Sequence, residues 1–321
     1  MKNKIENWDF SNSQGKLIIK KDLNSNHYSN QRNEFNFYFY ESFKYMFVTF
    51  FDITTAQITG SGESNIGSMI QFNYCLNGRV ELDLEDGLNI CLKAGDFCLS
   101  KEVSKSPSYF PTNEYQGISI YFDRNLFFKE NKALLEYFEL DFIKLEKIFF
   151  QDCSTIISKA DDVLKLVMNS LWENRQDLDN YTLKHQSIEI INQLLNFNLL
   201  KEKNEPYYTR LQAKIAKQAH EIMINNLDQR IPIKDLAQGF GISETSLKNY
   251  FKAVYGQNIS SYLKNYRIKK AAKLLLETKY SVGEISLMVG YSKQGKFAEL
   301  FKKQFNHSPL VYRRIHFFND K

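Results

Sequence analysis

Three polar residues close to position 247 combine side-chain types and spacing that suit hydrogen bonding with DNA bases. Thr245, Lys248 and Asn249 are three and four residues apart, so on a helix they share one face, away from Leu247 and Phe251. Lysine donates to guanine O6 and N7, asparagine pairs with adenine, and threonine contacts the thymine methyl group. The alternative interpretation is that this face is only a solvated helix surface.

A second polar set occurs later in the chain, near position 295. Gln294 suits adenine, and Lys296 suits guanine or a phosphate. Glu299 is open between accepting a hydrogen bond from cytosine N4 and repelling phosphate.

The first polar set requires a helix-turn-helix to position it, and residues 231–256 have that pattern. Leu236 marks a first helix that ends at Gly241, and glycine permits the positive φ of a tight turn. Ser243 is the predicted N-cap of a second helix, which carries the first polar set.

Residues 281–305 repeat the pattern. One helix ends at Gly290, Ser292 is the predicted N-cap of the next, and phenylalanines follow at four-residue intervals. Residues 258–278 predict one continuous helix that holds the two units at a fixed spacing. Two such units in tandem are far more specific than one.

On these motifs, residues 210–314 resemble the DNA-binding region of AraC/XylS-type transcription regulators, and residues 210–321 are the predicted DNA-binding domain. The residues that carry the resemblance are Leu236-Ala237, Gly241, Ser243, Leu247, Phe251-Lys252, Gly256, Tyr262, Arg267, Ala271, Leu274-Leu275, Ile285, Val289-Gly290-Tyr291, Phe297, Phe301-Lys302, Phe305, Ser308-Pro309 and Tyr312-Arg313.

The resemblance implies a sequence-specific DNA-binding regulator whose two recognition helices enter successive major grooves of duplex DNA. It maps base contacts onto both polar sets: Thr245, Lys248, Asn249, Gln294 and Lys296. The main candidates for phosphate contact are Lys252, Arg267, Lys293, Lys302, Lys303 and Arg313, and further candidates are Lys264, Lys269, Lys270 and Arg314.

The chain departs from the family pattern at three positions. Asn306 replaces the glycine that usually precedes Ser-Pro, and asparagine tolerates the left-handed conformation. Gly295 replaces a usual serine, and Glu299 replaces a frequent basic residue. The second recognition helix is therefore expected to read bases weakly or to read different ones.

The charge of the 321-residue chain is divided unevenly. Its net charge is +5, but residues 1–206 hold 22 Lys and Arg against 29 Asp and Glu, a net of −7. Residues 207–321 hold 20 against 8, a net of +12. This asymmetry indicates that the second half meets a polyanion and the first half does not.

Residues 1–150 predict a β-rich domain. Short aromatic runs read as strands, Asn77-Gly78 and Asp86-Gly87 are hairpin signals, and Ala94-Gly95-Asp96 marks another turn. The pattern predicts a small antiparallel sandwich or barrel, and the family resemblance implies a cupin-like barrel that senses a small-molecule effector.

Residues 151–200 predict a helical hairpin, with helices over 154–173 and 181–200. This hairpin covers the sheet, mediates homodimerisation, or does both. Residues 201–209, which include Pro206, are the predicted linker. The predicted fold is therefore α+β with two domains: a cupin-like antiparallel β-barrel with its helical hairpin, then an all-α double helix-turn-helix.

The competing class is a cupin-type metalloenzyme, or a small-molecule-binding protein with an accessory DNA-binding tail. Cupin metal centres need several histidines, yet only His27 of the five lies in the predicted barrel. No Gly-x-Ser-x-Gly motif occurs, and the cysteines Cys75, Cys91, Cys98 and Cys153 form no Cys-x-x-Cys pair. We therefore expect no catalytic residue, no metal and no cofactor.

The remaining expectations concern location and partners. No run approaches 18 apolar residues and the N-terminus lacks an apolar signal region, so we expect a cytoplasmic protein without a membrane span. The expected partners are duplex DNA, an unidentified small molecule and, if the chain is an activator, RNA polymerase.

Overall fold

The structure is a computed structural model that describes residues 17–21, 25–30, 34–58, 69–83, 88–101, 108–151, 154–197, 208–229 and 231–317. The chain forms two compact units, Met1–Tyr207 and Tyr208–Lys321. The predicted linker over 201–209 lies outside the described residues except at its last two positions.

The first unit is built on antiparallel strands. The strands are β1 Leu17–Lys21, β2 Ser25–Asn30, β3 Phe35–Phe43, β4 Met46–Ile53, β5 Gln57–Ile58, β6 Met69–Asp83, β7 Leu88–Lys93, β8 Asp96–Ser100, β9 Ser108–Tyr109, β10 Tyr115–Asp123 and β11 Thr155–Lys159. Their order is β1-β2-β3-β4-β10-β6-β7; in addition β8 pairs with β6 and β11, and β9 pairs with β5 and β6.

The two faces of the sheet carry different residues. On β10, Ile118, Ile120 and Phe122 belong to the larger apolar core, which also includes buried residues of the helices. Ser119 and Tyr121 alternate with them and therefore lie on the opposite face. That opposite face also holds a second, aromatic-rich core that includes Phe37 and Phe39.

A hydrogen-bonded group of neutral side chains, all buried except the half-buried Gln71, lies on this second face. Asn73 Oδ1 accepts from Gln71 Nε2 at 2.7 Å and from Ser119 Oγ at 2.5 Å. Gln71 Nε2 also donates to Tyr121 Oη at 3.2 Å. Thr49, directly opposite Ser119, is buried as well. Burial raises the pKa of Tyr121 to about 12, so the group carries no charge at neutral pH.

The hairpin predicted at Asn77-Gly78 is wrong. β6 runs without a turn through these residues, and its register against β10 shifts at this point. The extra residue of this bulge is Leu76. Gly78, two residues later, has φ +76°, and a Cβ there would collide with the carbonyl oxygen of Glu114, so glycine permits a close backbone approach rather than a turn. Asp86-Gly87 lies outside the described residues, although β6 and β7 pair antiparallel on either side of it.

Among its described residues, the first unit also contains five helices. They are α1 Arg124–Glu130, α2 Lys132–Tyr137, α3 Phe142–Phe150, α4 Asp162–Glu173 and α5 Asn180–Leu195. The first three fall within the stretch that the sequence predicted as β-rich. Apolar residues of α3, α4 and α5 join the larger core.

The helix predicted over 154–173 is wrong in its first part. Thr155–Lys159 forms β11, which pairs antiparallel with β8, and the helix begins only at Asp162. Alternation sends Ile156 to the larger core and Ile157 to the aromatic core. The apolar pair therefore fits a strand buried on both faces, which a helical count cannot distinguish over five residues.

The second unit is helical. After a two-residue strand, β12 Tyr208–Thr209, its helices are α6 Arg210–Asn225, α7 Ile233–Gly239, α8 Glu244–Tyr255, α9 Ile259–Glu277, α10 Val282–Met288, α11 Gln294–Phe305 and α12 Pro309–Phe317. An antiparallel sheet with helices, followed by a helical region, is the mixed architecture that the sequence predicts. None of the described helices is long and apolar enough to cross a membrane.

Candidate nucleic-acid interface

Helix α8 presents the first polar set. Ser243 Oγ accepts from the Ser246 backbone N–H at 3.0 Å, so the predicted N-cap is confirmed. Leu247 is buried, whereas Thr245 and Lys248 are exposed. Asn249 is exposed too, so the helix has an apolar inner face and a polar outer face.

An ion pair occupies the first two turns of α8. Glu244 Oε1 lies 2.5 Å from Lys248 Nζ, and both side chains are about half exposed. Glutamate four residues before lysine is the favourable order on a helix. Sequence reasoning missed Glu244, although this spacing was visible in the sequence.

Helix α8 rests on a buried aromatic cluster that includes His220. The His220 ring stacks on Tyr255 with 4.7 Å between centroids, and Nε2 lies 2.9 Å from Tyr262 Oη. Phe251 also stacks on Tyr255, with 4.4 Å between ring centroids. Burial lowers the pKa of His220 to about 4, so the ring is neutral at neutral pH. The cluster joins α6, α8 and α9.

Helix α11 presents the second polar set. Gln294 and Lys296 are exposed, while Phe297 and Phe301 are fully buried beneath them. The predicted N-cap at Ser292 is wrong, because the helix begins at Gln294 and Lys293 occupies the cap position without a side-chain cap bond.

The turn before α11 is held from the preceding helix instead. The Tyr291 backbone N–H donates to the Ser286 carbonyl at 2.9 Å, and Ser286 Oγ donates to the Tyr291 carbonyl at 3.0 Å. Asn306 ends α11 with φ +60°, the left-handed conformation that the sequence predicts there.

Comparison with known proteins adds a decisive observation to this geometry. A helix-turn-helix domain family matches residues 236–315. The chain is 36% identical over 86 residues to a probable transcription factor, PqrA, of Proteus vulgaris, covering 27% of this chain and 70% of that protein. It is 31% identical over 106 residues to the transcriptional activator AarP of Providencia stuartii, covering 33% of this chain and 78% of AarP.

The chain belongs to the AraC/XylS-type family of transcription regulators. Like these relatives, it is a DNA-binding transcription regulator and not an enzyme. A solved AraC-type regulator from Chromobacterium violaceum is also similar, with 28% identity, a TM-score of 0.30, and coverage of 32% of this chain and 90% of that one.

Four lysines that the sequence of this AraC/XylS-type regulator offers as candidate phosphate contacts are exposed. Lys252 is exposed on α8, Lys293 precedes α11, and Lys302 and Lys303 lie in the last turn of α11. Within the described residues, no group of three or more His, Cys, Asp or Glu could hold a metal ion.

Two predicted phosphate contacts are instead engaged with backbone carbonyls. Arg267 Nη2 donates to the carbonyl of Leu227 at 2.8 Å. Arg313 donates through Nε to Leu275 at 2.9 Å and through Nη2 to Tyr280 at 2.6 Å. Arg267 therefore connects α9 to the segment after α6, and Arg313 connects α12 to the last turn of α9 and the residues that follow it.

Proposed function

We propose that this regulator reads duplex DNA with two recognition helices, α8 and α11, each at the end of its own helix-turn-helix. The supporting observation is that each helix buries a Leu or Phe face and exposes a polar face at its N-terminal end. In such proteins, the N-terminal turn of the recognition helix contacts base edges in the major groove.

We assign base contacts to the exposed polar residues of the two leading turns. On α8 these are Thr245, Lys248 and Asn249, suited to thymine, guanine and adenine. On α11 they are Gln294 for adenine and Lys296 for guanine or phosphate. Two helices at a fixed spacing would meet successive major grooves about 34 Å apart, or the DNA would bend.

We assign phosphate contacts to the exposed lysines Lys252, Lys293, Lys302 and Lys303. Arg267 and Arg313 are better explained as structural clamps, because their hydrogen bonds already go to backbone carbonyls. Phosphate contacts position a protein on DNA without specifying its sequence.

Binding-site selection followed by salt titration tests this function. The full chain is expected to enrich a defined duplex from a random library. With about four lysines on phosphates, the slope of log K against log[salt] should be about −4. Failure to enrich any sequence, or a flat salt dependence, would contradict the proposal.

The first unit is the proposed cupin-like sensor of a small-molecule effector. Its support is the buried neutral group of Gln71, Asn73, Ser119 and Tyr121, since ligand sites combine apolar walls with a few polar groups. Because these side chains are uncharged, we expect an uncharged, hydrogen-bonding effector.

A thermal-shift screen separates this proposal from a purely structural role. Neutral sugars and polyols should raise the melting temperature, since a ligand of the folded state stabilises it. Carboxylates should not. An Asn73→Leu variant should lose the response, and a screen with no response from any neutral compound would count against a sensor.

Homodimerisation through the helical hairpin is the third part of the proposal. Val163 and Leu166 on α4 are 53% and 71% exposed and lie three residues apart on one helix face. Leu166→Glu is expected to shift a dimer to monomer in sedimentation, whereas Ile143→Glu, on α3, should not.

RNA polymerase is the further partner we expect if the chain is an activator, and the cytoplasm is the expected location.

A further inference from the structure

The ion pair of α8 places an acceptor and a donor side by side at the leading end of a proposed recognition helix. Glu244 is the first residue of the helix and Lys248 lies one turn later, with 2.5 Å between Oε1 and Nζ. Neither side chain is buried, so both remain able to reach a partner outside the protein.

The same pattern occurs on the major-groove edge of one base pair. Cytosine presents the N4 amino donor beside the O6 acceptor of its guanine, and these atoms are about 2.9 Å apart because they are hydrogen-bonded to each other. A carboxylate and an ammonium group at similar spacing are complementary to this edge. An A·T pair presents instead a methyl group and a different donor–acceptor order.

Two simpler explanations exist for Glu244. An acid in the first helical turn interacts favourably with the helix dipole, and an i, i+4 pair adds a few tenths of a kcal/mol to an exposed helix. The second explanation accounts for the contact with Lys248, but neither explanation uses the position of the pair at the leading end of a proposed recognition helix. Another exposed i, i+4 pair of the second unit, Lys273–Glu277, has lysine before glutamate and lies on α9, outside both polar sets.

We propose that Glu244 and Lys248 act as one unit that reads a single C·G base pair, with Glu244 accepting from cytosine N4 and Lys248 donating to guanine. The inference rests on the proposed recognition role of α8. It makes Glu244 a specificity-determining residue. On non-specific DNA, the Glu244 carboxylate has no cytosine amino group from which to accept a hydrogen bond, and it repels the nearby phosphates. Its presence should therefore weaken non-specific binding.

Binding-site selection with the full chain tests the proposal, using Glu244→Gln. Glutamine pairs with adenine, so the preference for C·G at one position should fall about tenfold in favour of A·T. The other positions of the site should keep their preferences. Binding to a scrambled duplex should strengthen a few-fold, because a negative charge has been removed from the interface.

A matched control removes the same charge elsewhere. Glu277→Gln breaks the Lys273 pair, 3.7 Å long and similarly exposed, and should leave every base preference unchanged. A charge swap, Glu244→Lys with Lys248→Glu, reverses the order of acceptor and donor and should favour G·C over C·G at the same position. Circular dichroism confirms that each variant keeps its helices.

The outcomes separate this inference from the general function. If the wild-type chain enriches no sequence, the recognition role of α8 and the inference both fail. If the wild type selects a site but Glu244→Gln behaves like Glu277→Gln, only the inference fails, and Glu244 is a helix-stabilising acid. A preference for C·G that neither relaxes nor reverses in the charge swap would also overturn it.

Discussion

At the scale of single residues, substitutions of two exposed lysines of the second unit should differ in their effect on sequence preference. Lys248 lies in the leading turns of α8 and Lys303 in the last turn of α11. Lys248→Ala should relax preference at one base position, at a cost of about 1–3 kcal/mol on the preferred duplex. Competitive binding to a library of single-base variants measures this.

Lys303→Ala is the companion variant. It should weaken binding to all duplexes about equally and reduce the salt slope by about one, since a phosphate contact carries no sequence information. If both variants change the library in the same way, the division into base and phosphate contacts is wrong.

His220 makes the second unit sensitive to acid. Its folded pKa of about 4 lies below the ordinary 6.5 because the ring is buried, so the fold favours the neutral form. That stability is present above pH 6.5 and is lost as the pH falls towards 4, by up to about 3 kcal/mol. Thermal unfolding across this range should show the loss, and His220→Phe should reduce it.

A histidine ring-proton titration by NMR is the direct check of this prediction and should assign the depressed pKa to His220. An ordinary pKa near 6.5 at His220 would contradict the buried environment.

At the scale of elements, the turn between α10 and α11 depends on glycine. Gly290 has φ +81°, and a Cβ there would collide with the carbonyl oxygen of Leu227 and approach the Arg267 guanidinium to 3.0 Å. Gly290→Ala should therefore destabilise the fold by at least about 2 kcal/mol. Thermal unfolding of the full chain measures this.

Gly239 offers the matched substitution within α7. Nothing lies within 4 Å of a Cβ at this position, so Gly239→Ala should stabilise the helix by about 0.5–1 kcal/mol. Equal melting temperatures for the two alanine variants would show that the turn tolerates a side chain.

The elements that the sequence predicts well are those fixed by local chemistry. The Ser243 cap and the left-handed Asn306 each depend on a few neighbouring residues, and both are present. β11 and the bulge of β6 near Gly78 depend on partners distant in sequence, namely β8 and β10. The helical periodicity of residues 154–173 does not indicate the pairing of β11 with β8, because β8 is distant in sequence.

The candidate site follows the same division. Residue types and helical spacing predict which side chains on α8 and α11 are exposed, because the buried Leu and Phe positions fix the helix face. The carbonyl contacts of Arg267 and Arg313 span about 40 positions of sequence, so no local pattern indicates them. Charge alone made both residues resemble phosphate contacts.

At the scale of the whole molecule, the separation of charge has a measurable consequence for DNA binding. The fragment 208–321 keeps the +12 charge, whereas the full chain carries a further −7 from residues 1–206. Tethered acidic groups repel the phosphate backbone, so the fragment should bind DNA a few-fold more tightly at low salt.

Salt distinguishes this effect from a change in the interface itself. The Debye length falls from about 30 Å at 0.01 M to about 10 Å at 0.1 M, so the repulsion should fade as salt rises. The two affinities should then converge, while both proteins keep the same preferred sequence. Equal affinities at low salt would mean that the acidic half lies too far from the DNA to act on it, and a difference that persists at high salt would indicate contacts rather than charge.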